Sequence, residues 1–175
     1  SPEAQQKYLG IILAKETGIE SMVEQLFSFS KIDVDEFPVR IEVLDASGNT
    51  VFACACLGKA DNAEAIARRN ASRDPLKPFG DTPLGSWIGT IGPKMADTRT
   101  YGVNPVIMLR ATGGDAIQAA KNGRAGIWIH GGSLRMGNLR PTFGCVRVAD
   151  PMMAAILEIL LAAKLTAIPV DTVAA

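Results

Sequence analysis

A chain of 175 residues with 47% hydrophobic and 21% charged residues has the composition of a folded globular protein. Its 18 lysines and arginines balance 18 aspartates and glutamates, which removes the electrostatic footprint of a nucleic-acid or anionic-membrane binder. No apolar run reaches the roughly 18 to 20 residues that span a bilayer, because the richest, Met152 to Ala163, is interrupted by Glu158.

The chain opens Ser1-Pro2-Glu3 without the basic segment of a secretory leader, a pattern that a mature or trimmed chain shares. Tyr8, Leu9, Ile12 and then Ile19, Met22, Val23, Leu26 and Phe27 recur at helical spacing around Gly18. They predict a helical extension over residues 1–35, ahead of a second domain over 36–175. Past Pro38, Val39, Ile41 and Val43 alternate with Arg40 and Glu42, the period of a half-buried strand. Asp45 to Asn49 is the turn of a hairpin whose second arm is Thr50 to Leu57. Cys54 and Cys56 share one face of that arm and read as small core residues.

Asp61 to Ser72 is alanine-rich and predicts a helix, and its Asn70-Ala71-Ser72 matches a glycosylation triplet by pattern alone. The basic residues Arg68, Arg69, Arg73 and Lys77 read as a solvated segment. Asp74 to Leu84 carries three prolines and is a loop. Trp87 to Ile91 and Val106 to Arg110 are strands, Ala116 to Lys121 a short helix, and Gly126 to Ile129 a buried strand ending at His130. A long loop, Gly131 to Gly144, follows. Asp150-Pro151 starts the last helix, with Asp150 as its N-cap, and Thr166 to Val170 adds a closing strand. That helix is apolar nearly all round and is expected to be buried. Trp87 and Trp128 read as core residues.

His130, the only histidine, precedes Cys145 by fifteen residues, in Ile-His-Gly-Gly and Thr-Phe-Gly-Cys-Val-Arg. A thiol is mostly protonated at neutral pH, and an adjacent imidazole can take its proton and stabilise the thiolate. Cys145 is therefore the candidate nucleophile and His130 its base. Gly131 and Gly132 let the backbone lie close to the imidazole, so that a carbonyl there can accept the other ring N–H and fix the tautomer. Gly144 allows a tight turn, and the N–H groups of Gly144 and Cys145 can face an oxyanion. Arg147 can grip a substrate carboxylate with its planar fork, or hold a structural ion pair. Thr142 is a candidate both for hydrogen-bonding the loop and for lining the site, and Phe143 for lining it. One histidine and three cysteines do not make a zinc set or a disulfide framework, so neither metal nor cofactor is expected.

These residues resemble the L,D-transpeptidase (YkuD-type) catalytic domain. That family carries His-Gly near a strand end, then a glycine-containing loop, then Ser/Thr-x-Gly-Cys-(Ile/Val)-Arg. The matching residues are His130, Gly131, Gly137, Thr142, Gly144, Cys145, Val146 and Arg147, and Thr82-Pro83-Leu84-Gly85-Ser86-Trp87 is similar to an upstream family segment. Phe143 stands where many relatives carry histidine. The resemblance runs from about Pro38 to Val170. It implies a β-rich sandwich or barrel core with peripheral helices, in the bacterial cell envelope, acting on peptidoglycan stem peptides. Cys145 would acylate at the third residue of a tetrapeptide donor, releasing the terminal D-amino acid. An amine acceptor then gives a cross-link, whereas water gives carboxypeptidase or amidase activity. The motif does not separate the two.

Papain-like peptidases carry cysteine before histidine, the reverse of the order here, and the caspase Gln-Ala-Cys signature is absent. A wall-binding domain that retained the fold without catalysis is the remaining alternative. The oligomeric state is not legible in the sequence.

Overall fold

The computed structural model describes residues 40–173. The expected helical extension over residues 1–35 lies outside them. The described residues are β-rich, built around a five-stranded mixed sheet curled into a half-barrel, with helices beside it.

The hairpin forms as its alternation demands. β1 (Arg40–Leu44) and β2 (Thr50–Ala55) pair antiparallel as a separate two-stranded sheet. Its turn is held by Asp45, whose Oδ1 accepts from the N–H groups of Ser47 and Asn49. Cys54 and Cys56 are buried, as expected for the inward face.

The larger sheet comprises β3 (Gly85–Lys94), β4 (Pro105–Ala111), β5 (Trp128–His130), β6 (Val146–Arg147) and β7 (Ile168–Thr172), in the order β6-β5-β4-β3-β7. All neighbours are antiparallel except β5 and β6, which run parallel. Pairing of Gly89 with Leu109 and Ile168, of Ile91 with Ile107, of Ile107 with Ile129 and of Ile129 with Val146 sets these residues on one face. Most of them join Cys54, Cys56, Val148, Met153, Ile156, Leu157 and Leu160 in the main core. The opposite face carries Thr90, Met108, Arg110, Trp128, His130 and Arg147. The sheet thus separates packing from polar chemistry residue by residue.

Four helices fill the connections among the described residues: α1 (Asn62–Ala67), α2 (Thr98–Tyr101), α3 (Gly114–Lys121) and α4 (Asp150–Ala162). α1 is shorter than the expected Asp61 to Ser72. Asp61 caps it by accepting from the Glu64 N–H, but Arg69 leaves the helix with φ +64°. Asn70 then turns inward, donating to the Asp74 and Pro78 carbonyls and accepting from the Asp74 N–H. Its amide is buried and committed, so the glycosylation triplet has no accessible acceptor. α2 was not visible in the sequence because its four residues carry no periodicity.

α4 corrects two expectations. Its N-cap is Ala149; Asp150 is the first helical residue and sends its carboxylate elsewhere. The helix also buries only one face, Met153, Ile156, Leu157 and Leu160, and leaves Leu161 exposed. Each fully buried aliphatic side chain there contributes about 1.5–3 kcal/mol. Trp87 is buried against Ala116 and Ile127, and its Nε1 donates to Thr172 Oγ1 at 3.1 Å. Trp128, expected in the core, is only half-buried and lies on the opposite face of the sheet.

Candidate active site

The parallel pairing of β5 with β6 aligns His130 with Arg147 and Ile129 with Val146. Side chains alternate along a strand, so Ile129 and Val146 enter the core while His130 and Arg147 face away from it. Cys145, one residue before β6, takes the same face, level with Trp128. Residues separated by fifteen positions are therefore brought to two adjoining strands, His130 at the end of β5 and Cys145 directly before β6.

His130 is 1% exposed. Its Nδ1 lies 2.7 Å from the Gly131 carbonyl oxygen, which can only accept. Nδ1 therefore carries the proton and Nε2 keeps a free lone pair. The Tyr101 ring stands edge-on to the imidazole at 5.1 Å and against Trp128 at 5.4 Å. Burial pushes the His130 pKa down to about 4, against the opposing pull of the Gly131 hydrogen bond.

Cys145 is partly exposed and donates its S–H to the Gly126 carbonyl at 3.4 Å. Burial pushes its pKa up; the Trp128 N–H and the charges of Arg124 and Arg147 pull the other way. The resting pair is thus a neutral thiol and a neutral imidazole. Burial thus works against a resting thiolate, and the Trp128 N–H, Arg124 and Arg147 work for it.

The glycines have steric reasons. A Cβ on Gly131 or Gly102 would run into the Asp150 carboxylate, which lodges between them and accepts from the Gly132 N–H at 3.2 Å. Asp150 therefore anchors the His-Gly-Gly turn. Gly144 has φ +102°, and a Cβ there would strike the Arg124 guanidinium and the Gly80 carbonyl.

Thr142 proves to be a brace. Its Oγ1 accepts from the Gly144 N–H at 2.9 Å and donates to the Cys145 carbonyl at 2.8 Å. It is 8% exposed, and these bonds are the loop contact expected of it. The same bond removes Gly144 as an oxyanion donor; the Cys145 N–H has no partner among the described residues. Phe143 is 54% exposed and meets Phe79 edge-to-face at 5.7 Å, forming an apolar rim. Thr82 Oγ1 lies 2.9 Å from the Gly144 carbonyl and 3.0 Å from that of Gly58, which accounts for the threonine of the upstream segment.

Arg147 is anchored rather than free. It is 3% exposed, its Nη2 donates to the Thr100 carbonyl at 2.7 Å, and its Nε is buried without a partner among the described residues. Sequence reasoning missed Arg124. This buried guanidinium donates to the carbonyls of Pro75, Lys77 and Gly80, pinning the proline-rich loop across Gly144. Its place between Gly123 and Ala125, just before the strand that delivers His130, was the only available signal. A cavity of about 230 Å³, lined by Pro83, Trp87, Leu109, Ala116, Arg124 and Gly126, reaches the residue that holds the thiol. Among the described residues no cluster of three or more His, Cys, Asp or Glu could hold a metal ion, and no helix is long and apolar enough to cross a membrane.

Exposure ranks the three thiols. Cys54 and Cys56 are buried and burial pushes both to about 12, whereas Cys145 reaches the surface. Native alkylation followed by peptide mapping is expected to modify Cys145 first, with Cys54 and Cys56 reacting only on unfolding. Modification of Cys54 or Cys56 ahead of Cys145 would overturn the assignment.

No family model matches the sequence, and no curated protein matches it. Among solved structures, that of Bdellovibrio bacteriovorus Bd1075 aligns with a TM-score of 0.46 at 17% identity, over 77% of this chain and 44% of that one. The chain thus spans less than half the length of that protein.

Proposed function

We propose that this chain is a cysteine acyltransferase of the L,D-transpeptidase type, with the fold of that family, acting on peptidoglycan stem peptides in the bacterial cell envelope. The observation that carries the reading is the β5–β6 register. It sets His130 beside Arg147, with Cys145 directly before β6 and the Gly131 carbonyl favouring the Nδ1–H tautomer of the imidazole, which supports the reading.

In the proposed reaction a donor carbonyl docks against Cys145. Nε2 of His130 takes the thiol proton as Sγ attacks, which converts two neutral groups into an ion pair only in the transition state. The Cys145 N–H donates to the developing oxyanion. Collapse breaks the C–N bond, and the imidazolium returns its proton to the departing amine of the terminal D-amino acid. The thioester left on Cys145 is then attacked by an acceptor amine, with His130 again as base. Water in place of the amine would make the same site a carboxypeptidase or amidase.

Incubation with tetrapeptide muropeptides, followed by mass spectrometry, tests the reading. Cross-linked dimers are expected. Tripeptides alone would replace transfer with hydrolysis, and no product from any wall fragment would leave a binding module. Cys145→Ala should stay folded and form neither product.

A further inference from the structure

The run from Gly131 to Arg147 holds three arginines and no acidic residue, in a chain whose charges balance overall. Two of the three converge on the same short helix. Arg147 donates directly to the Thr100 carbonyl. Arg140, half-buried, reaches Ser133 Oγ at 3.4 Å, and that hydroxyl donates to the adjacent Arg99 carbonyl at 3.1 Å. Neither guanidinium has a carboxylate within ion-pair distance among the described residues, where the ion pairs are Arg40–Glu42, Arg68–Glu64, Arg73–Asp81 and Lys77–Asp74. The nearby acid, Asp150, is wedged against Gly131 and Gly102 and engaged by the Gly132 N–H.

Two like charges held close together, one of them buried with an Nε that has no partner among the described residues, are unfavourable. Arg140 adds to burial in holding the Arg147 guanidinium below its usual range. An anion entering between them relieves both costs at once, and the planar fork of arginine fits a carboxylate.

We propose that Arg140 is a substrate-binding residue that, together with Arg147, forms a two-guanidinium site for a free carboxylate of the acyl donor beside Cys145. The inference rests on Cys145 being the reacting group. It implies a donor selected for that carboxylate, with amidated or esterified donors poorly used.

Two alkylating agents of similar size separate this from a bland surface. Iodoacetate carries a carboxylate and iodoacetamide does not; in both, Sγ displaces iodide. The measured quantity is the ratio of their rates at Cys145, resolved by peptide mapping. Arg140→Gln is expected to lower the iodoacetate-to-iodoacetamide ratio about tenfold relative to wild type. Arg140→Lys should restore part of it, because charge returns without the fork. Arg135→Gln, an exposed arginine of the same loop, removes the same net charge and should change the ratio less than about twofold. An unchanged ratio in Arg140→Gln, or an equal drop in Arg135→Gln, overturns the carboxylate site. A folded wild type whose Cys145 resists both reagents overturns the reading of the site itself, and the proposal with it. The iodoacetamide rate of each variant reports whether its thiol environment is intact.

Discussion

Replacing His130 with glutamine is expected to lower the acyl-transfer rate by about a hundred- to ten-thousandfold, the range general-base catalysis supplies. Glutamine can still hydrogen-bond but cannot carry a proton between thiol and leaving amine. The pH behaviour identifies the group. Because burial holds His130 at about 4, the base stays unprotonated well below neutrality. The acid limb of kcat/KM should therefore fall near pH 4 and not near the ordinary histidine value of about 6.5. Stability follows the same sign. In the unfolded chain His130 takes up a proton as pH drops below about 6.5, whereas the folded state refuses it until about 4. Its contribution is fully present above 6.5 and is lost progressively down to about 4, equivalent to about 3 kcal/mol. Urea denaturation across that window should show wild type losing more stability than His130→Gln. Parallel losses would place the titration elsewhere.

Gly144→Ala should be far more damaging than a single methyl suggests. The new Cβ has no space, with the Arg124 guanidinium on one side and the Gly80 carbonyl on the other, and φ +102° adds backbone strain. Neither obstacle is a flexible side-chain end free to swing away. Arg124 is tied to three carbonyls, and Gly80 belongs to the backbone of the loop they hold. The expected outcome is a loss of about 3 kcal/mol or more in chemical denaturation, together with slowed alkylation of Cys145. Gly48→Ala is the matched control. Gly48 has φ +84° but nothing among the described residues within 4 Å of where the added methyl would sit, so it should suffer only the conformational cost, about 1 kcal/mol. Equal losses in the two variants would show that backbone strain, not the Arg124 latch, governs Gly144.

What the sequence made legible depended on the range of the forces involved. Strand alternation is local, so the hairpin, β3, β4 and the inward cysteines were readable from neighbours in the chain. The candidate pair was readable because both residues are chemically rare here and stand in short glycine-flanked motifs. What escaped was set by long-range contacts. Asp150 had the sequence of an N-cap, yet Gly131 and Gly102 leave a slot that draws its carboxylate across to the histidine turn. Thr142 has no local mark distinguishing a brace from a substrate contact. Arg124 acts through carbonyls more than forty positions upstream, which no periodicity reports. The protonation of the pair depended on burial, which pattern alone does not measure.

The spacing between His130 and Cys145 acquires a topological meaning from the parallel pairing of β5 and β6. Two parallel neighbours cannot be joined by a tight turn; the chain must travel back past a full strand length, which takes about a dozen residues or more. The loop from Gly131 to Cys145 uses its fifteen residues on that return trip. The interval is thus close to a geometric minimum. Its tip, where Arg135 and Asn138 exchange backbone hydrogen bonds in the open, has room to grow outward. It has almost none to shrink, so variation in this loop is expected through insertion there and not through deletion.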